Sequence, residues 1–186
     1  MGSKMKDWYT IPNILSYIRI VLIPCFILSY RQAGRYGKAG DYTVPALIIV
    51  VSGITDVLDG IIARKFNQIT ELGKVLDPIA DKLTQFTILI TLMAHYRYMW
   101  ILTVLFVVKE LFMGISGLVL IHRKSQVNGA KWFGKLSTAV FYSCMILLIA
   151  FPAMDPLMIE MLSLLICVVL GFSFALYIST FIHELR

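Results

Sequence analysis

Four aspartates stand in two close pairs, Asp56 with Asp59 and Asp77 with Asp81. On a helix Asp56 and Asp59 are i, i+3 and share a face. Gly60 follows Asp56 by four residues, Ala63 follows Asp59 by four, and Arg64 continues the same face. That face presents two carboxylates, two nearly bare positions and a guanidinium. Small residues let a ligand approach a backbone closely. Asp77 and Asp81 are i, i+4 on the next helix, with Pro78 expected in its first turn, where a missing N–H costs least. A short connection, about Lys65 to Gly73, must bring the two pairs together. At an effective dielectric of ~20, two charges ~4 Å apart repel by roughly 4 kcal/mol. Four carboxylates in one place therefore need cations or protons. Oxygen ligands suit Mg²⁺ or Mn²⁺, and no His or Cys stands near in sequence to favour zinc. Four carboxylates can hold two such ions through a shared ligand. Such a pair clamps a phosphoryl group and activates an attacking oxygen. One intramembrane aspartate often serves only to pair helices, but four at these spacings exceed that need.

The elements that must position these groups are strongly apolar. The chain has 186 residues, of which 59% are hydrophobic and 15% charged, and its mean hydropathy is +0.80. An average soluble domain is roughly 45–50% apolar. A soluble globule and a disordered chain are both excluded. A transmembrane helix needs roughly 20 apolar residues. Six spans are expected, at about 12–30, 43–63, 75–95, 98–121, 134–153 and 157–182. The last two are clean, with 19 uncharged residues between Lys135 and Asp155 and 22 between Glu160 and His183. The other four carry Arg19, then Asp56 and Asp59, then Asp77, Asp81 and Lys82, then Lys109 and Glu110. Those charges should face a protein interior or a wet cavity. The fold expected is an all-α integral membrane bundle, a single domain over residues 1–186. Met1 to Lys4 are read as added residues ahead of a natural start at Met5. No cleavable signal is expected.

With a cytoplasmic N-terminus, ten Lys and Arg fall inside and four outside, so both termini are expected in the cytoplasm. The net charge of +6 then reflects topology and anionic lipid headgroups, and no nucleic-acid partner is expected. Tyr30, Tyr36, Tyr42, Tyr98, Trp100 and Trp132 stand at expected span ends, as interfacial aromatics do. Cys25, Cys144 and Cys167 form no C-x-x-C spacing and are expected to be free thiols in apolar helices.

At the aspartates the sequence resembles the CDP-alcohol phosphatidyltransferase family. The family signature, D-x-x-D-G-x-x-A-R-x8-G-x-x-x-D-x-x-x-D, is met at every fixed position from Asp56 to Asp81. The segment Ile11-Pro12-Asn13 to Arg19 resembles the opening of the family's first helix. Gly134-Lys135-Leu-Ser-Thr138 resembles the start of the fifth helix in the family's phosphatidylglycerophosphate synthases. The resemblance implies a six-helix homodimer in a bacterial cytoplasmic membrane, with its site open to the cytoplasm. The implied reaction replaces CMP on CDP-diacylglycerol by an alcohol. It implies Asp56, Asp59 and Asp77 as metal ligands, and Asp81 as general base on the acceptor hydroxyl and ligand of a second ion. It implies contact of Asn13, Gly60, Ala63, Arg64 and Gly73 with the nucleotide lipid.

A membrane lysine is expected to face a cavity, so Lys109 is a candidate for an acceptor phosphate, with Lys135, Lys131 and Arg123 in support. The competing reading pairs Lys109 with Glu110. Cations favour glycerol 3-phosphate as acceptor over a neutral alcohol. The synthases commonly read Arg-Glu-Phe where this chain has Lys109-Glu110-Leu111, and a second Lys where Ser137 stands. Phosphatidylglycerol, serine and inositol phosphate therefore stay open as acceptors. Arg19, with Asn13 and Ser16, borders the nucleotide site, or else Arg19 is a cavity cation that pairs with an aspartate. A divalent-cation transporter is the reading from another class. The clustering of the acids at one edge and the lack of an internal repeat stand against it.

Overall fold

The buried face of the first helix changes character along its length, and that change organises the site. In the computed structural model, which describes residues 10–36, 41–66, 68, 70–96, 98–122 and 132–185, α1 runs Ile11–Gly34. Its first turns bury Pro12, Asn13, Ser16 and Arg19, while its later turns bury Phe26, Tyr30 and Ala33. The apolar part packs on α2, Thr43–Lys65, through Tyr42, Ala46 and Ile49 at helical spacing. Tyr30 meets Tyr42 edge to face at 5.3 Å and Phe26 at 5.9 Å. Tyr30 and Tyr42 are thus core residues and not interfacial ones, because both sit on the inward stripe of their helices. The polar part of α1 is left for the aspartates. Asp41 caps the start of α2 by accepting the Thr43 N–H at 2.9 Å. Hydrogen bonding from Thr43 holds the Asp41 carboxyl below its ordinary range.

α3 runs Glu71–Met93, and it begins four residues before the expected start at 75. The reason is Thr70, whose Oγ1 accepts the Gly73 N–H at 2.9 Å and so satisfies one of the orphan donors of the first turn. Gly73 therefore lies inside the helix and not in the connection. Pro78 lies inside it too, and not in its first turn. Standing between Asp77 and Asp81 in sequence, Pro78 has no N–H to donate to the carbonyl four residues before it, that of Lys74. Thr70→Ala should lower stability by about 1–2 kcal/mol. Thermal unfolding in detergent reads this, and an unchanged midpoint would mean that the cap contributes nothing.

α4 (Met99–His122), α5 (Trp132–Ala150) and α6 (Pro156–Leu185) complete the chain. α5 stops at Ala150, short of the expected 153, as Pro152 disfavours helical backbone at the residue before it. Asp155 accepts the Leu157 N–H at 2.8 Å and opens α6. The described residues are all helix and connection. They divide into two compact units, Met1–Thr91 with Ile146–Ala153, and Leu92–Met145 with Met154–Arg186. In the second unit α4 packs on α6. Phe112 meets Phe174 and Phe181 edge to face at 5.4 and 5.6 Å, and Phe106 stacks on Phe141. Leu102, Phe106 and Lys109, at i, i+4 and i+7, share the buried face of α4.

Among the described residues, five of the six helices are long and apolar enough to cross a membrane. α3 is the exception, since Glu71, Lys74, Asp77, Asp81 and Lys82 crowd its first half. Outward positions such as Val21, Leu28, Leu118 and Phe172 expose large apolar side chains, as lipid-facing helices do and soluble surfaces avoid. Cys25, Cys144 and Cys167 are free thiols.

Candidate active site

The C-terminal half of α2 and the N-terminal half of α3 are joined by only five residues, 66–70. This brings the four aspartates together in the first unit. Asp56 lies within electrostatic reach of Asp77, Asp81 and Lys82, and Asp59 within reach of Asp56 and Asp77. From a stripe of α1 spaced by three residues, Asn13, Ser16 and Arg19, the last two supply partners to Asp56, Asp59 and Asp77. Arg19 is 0% exposed, and its Nη1 stands 2.8 Å from Asp56 Oδ1. Its Nη2 donates to Asp59 Oδ2. Its Nη1 also reaches the backbone carbonyl of Asp77 at 3.5 Å. Ser16 Oγ donates to Asp77 Oδ1. Of the two readings of Arg19 from sequence, pairing with aspartates is the one observed.

Asp81 is held by its own helix. Gln85 Nε2 donates to both carboxylate oxygens at 3.0 and 2.9 Å, and Lys82 Nζ stands 3.6 Å away. Asn13 is buried and shares hydrogen bonds with Thr70 at 3.2 and 3.3 Å. A Cβ on Gly73 would meet Asn13 Oδ1 at 2.7 Å, so the bare position is required by the approach of α1. Gly60 is different. The guanidinium of Arg64 folds back towards it, but stops 3.7 Å from where a Cβ would stand. Arg64 is exposed and Ala63 half-buried. Sequence alone sets Ser16 with Asn13 and Arg19 at the border of the nucleotide site, and the structure places it on Asp77. Thr70 and Gln85 are site residues that sequence reasoning missed. For Gln85 the signal was its i+4 spacing from Asp81.

The donor set is suited to a hard divalent cation. It consists of carboxylate oxygens, and against four aspartates it brings Arg19 and Lys82 as direct ion-pair partners, which leaves an acidic surplus. Arg19 holds the oxygens of Asp56 and Asp59. Among the described residues no three His, Cys, Asp or Glu side chains converge on one point.

In the second unit Lys109 is 4% exposed. Its Nζ stands 2.9 Å from Glu110 Oε1 and 5.9 Å from the centroid of the Tyr177 ring. The Tyr177 hydroxyl lies against Gly134, where a Cβ would collide with it, and Phe133 meets the ring at 4.7 Å. The ion pair with Glu110 is thus present. Lys135 is exposed. Ser137, at the place of the synthases' second Lys, is buried and donates to the Gly134 carbonyl. Arg123 and Lys131 lie outside the described residues.

Residues 9–175 match the profile of a family described as CDP-alcohol phosphatidyltransferase. The chain belongs to the CDP-alcohol phosphatidyltransferase family. The match runs through both units, and with the five apolar helices it makes the chain an integral membrane protein. A Mycobacterium tuberculosis relative named "Probable phosphatidylglycerophosphate synthase" is 38% identical over 128 residues, 69% of this chain and 60% of the relative. The chain thus spans about 60% of that relative's length. Relatives from Escherichia coli and Salmonella typhimurium are named CDP-diacylglycerol–glycerol-3-phosphate 3-phosphatidyltransferase. Both are 29% identical over 134 residues, 70% of this chain and 71% of each relative.

Proposed function

We propose that the chain is a phosphatidyltransferase of phospholipid synthesis that moves the phosphatidyl group of CDP-diacylglycerol to glycerol 3-phosphate and releases CMP. The observation that carries this is the complete run of motif aspartates on the adjoining ends of α2 and α3, with Asp56, Asp59 and Asp77 held by α1 and Asp81 by Gln85 and Lys82. The names of the bacterial relatives support the substrate pair.

In this reading Asp56, Asp59, Asp77 and Asp81 hold two divalent ions, Mg²⁺ or Mn²⁺. Bound there, the ions neutralise charge that develops on the bridging phosphate and the CMP leaving group. Asp81 takes the proton from the acceptor hydroxyl. The oxygen attacks the phosphorus that carries diacylglycerol, and the P–O bond to CMP breaks. Gly60 and Ala63 offer a bare helix face to the nucleotide, with Asn13 and Gly73 at its border and Arg64 beside the diphosphate. Lys109 and Lys135, with Lys131 and Arg123 from the adjoining segment, receive the acceptor phosphate. All six helices cross the membrane as one domain. Both termini and the site face the cytoplasm of a bacterium, and the working form is a homodimer.

Purified protein with CDP-diacylglycerol, Mg²⁺ or Mn²⁺ and glycerol 3-phosphate should release CMP. Turnover with phosphatidylglycerol, serine or inositol phosphate instead would overturn the acceptor and keep the reaction class. Metal flux into liposomes without CMP release would overturn the class. Lys109→Gln should raise the KM for glycerol 3-phosphate by about tenfold or more and leave that for CDP-diacylglycerol near its original value, since a charge-assisted hydrogen bond is worth roughly 1.5–3 kcal/mol. Equal changes in both constants would remove Lys109 from the acceptor site.

A further inference from the structure

Arg19 and a divalent cation would use the same atoms. The guanidinium is fully buried and spends both terminal nitrogens on the carboxylates of α2, Asp56 Oδ1 at 2.8 Å and Asp59 Oδ2. Its Nε has no hydrogen-bond partner among the described residues, so its directed bonds all run through the two Nη atoms to α2 and α3. Asp59 is only 3% exposed and is therefore shielded from water that would otherwise replace the arginine. A guanidinium cannot lose its proton in a protein, so this positive charge is permanent. It has two opposite effects on a cation at the cluster. It holds Asp56 and Asp59 in a fixed arrangement, and it repels a second positive charge a few ångströms away.

We propose that Arg19 is the built-in counter-cation of the aspartate cluster, and that it competes with the divalent ion for the oxygens of Asp56 and Asp59. Arg19 is then a positioning residue that sets metal affinity by exchange. Metal entry draws the two carboxylates partly off the guanidinium, and metal loss returns them to it. The consequence is a cluster that stays charge-compensated in the membrane at low metal and that binds metal more weakly than its four carboxylates alone would. This rests on the metal role of the aspartates proposed above.

The test is Mn²⁺ binding to the purified full chain in detergent, followed by electron paramagnetic resonance, together with thermal unfolding in EDTA and in Mn²⁺. Arg19→Gln should bind Mn²⁺ at least tenfold more tightly than the original protein. It should unfold earlier in EDTA and recover its midpoint in Mn²⁺. Arg19→Lys keeps the charge but engages one carboxylate at a time, so its affinity should lie between the two, and it supplies the comparison if Arg19→Gln does not fold. Affinity in both variants equal to or weaker than the original would overturn the competition. Mn²⁺ binding that is lost in Asp59→Asn yet unchanged in the Arg19 variants overturns this inference alone. No Mn²⁺ binding in any form overturns it together with the metal reading.

Discussion

Asp81→Asn should reduce CMP release by about a thousandfold, within the range a general base contributes, while CDP-diacylglycerol still binds. The substitution preserves size and leaves an Oδ1 acceptor for Gln85, which now donates to both oxygens at 3.0 and 2.9 Å. The side chain should therefore stay where it is. What it loses is the capacity to take a proton, and one negative charge of the four. Asp56, Asp59 and Asp77 remain, with Arg19 and Ser16 still in place around them. A structural role for Asp81 predicts the opposite pattern, a lower unfolding temperature with turnover per folded molecule preserved. CMP release, a binding isotherm with CDP-diacylglycerol and thermal unfolding on the same sample separate the two. Near-normal turnover would mean that another group removes the proton.

Five of the helices were legible because each is a long apolar run, and the motif was legible because its residues lie close in sequence. Other features depend on contacts that spacing does not record. Arg19 could be placed on a stripe with Asn13 and Ser16, but its partners lie 37 and 40 residues further on, at Asp56 and Asp59. The start of α3 is hard to place from sequence because its signal is one hydroxyl, that of Thr70, in an otherwise unremarkable connection. Tyr30 and Tyr42 were read as interfacial because tyrosine near a helix end suits either a membrane interface or a core. Only the ring contact between them decides it. For Lys109 the neighbour in sequence, Glu110, was also the neighbour in space, so one of the two readings was available from the start.

The two motif glycines should respond differently to alanine, although the family signature treats them alike. Gly73→Ala puts a methyl 2.7 Å from Asn13 Oδ1 and 3.0 Å from Thr70 Oγ1. Neither atom can retreat freely, since Asn13 is buried and the two side chains bond each other. The start of α3 must shift or the Asn13–Thr70 pair must break, at a cost of about 1–3 kcal/mol. Thermal unfolding should therefore move down, and turnover should fall at least with the share of folded protein. Gly60→Ala puts its methyl 3.7 Å from the Arg64 guanidinium, an ordinary contact with the end of a flexible side chain. Replacing glycine in a helix interior by alanine stabilises by roughly 0.5–1 kcal/mol, so unfolding should stay level or rise. Turnover should nonetheless drop by about a hundredfold, because the added methyl displaces the nucleotide from the helix face. The variants thus separate the two demands on a bare position, helix against helix at Gly73 and helix against ligand at Gly60. If Gly60→Ala kept full turnover, the nucleotide would have to lie elsewhere, and Arg64, which folds over the same face, would leave the site with it.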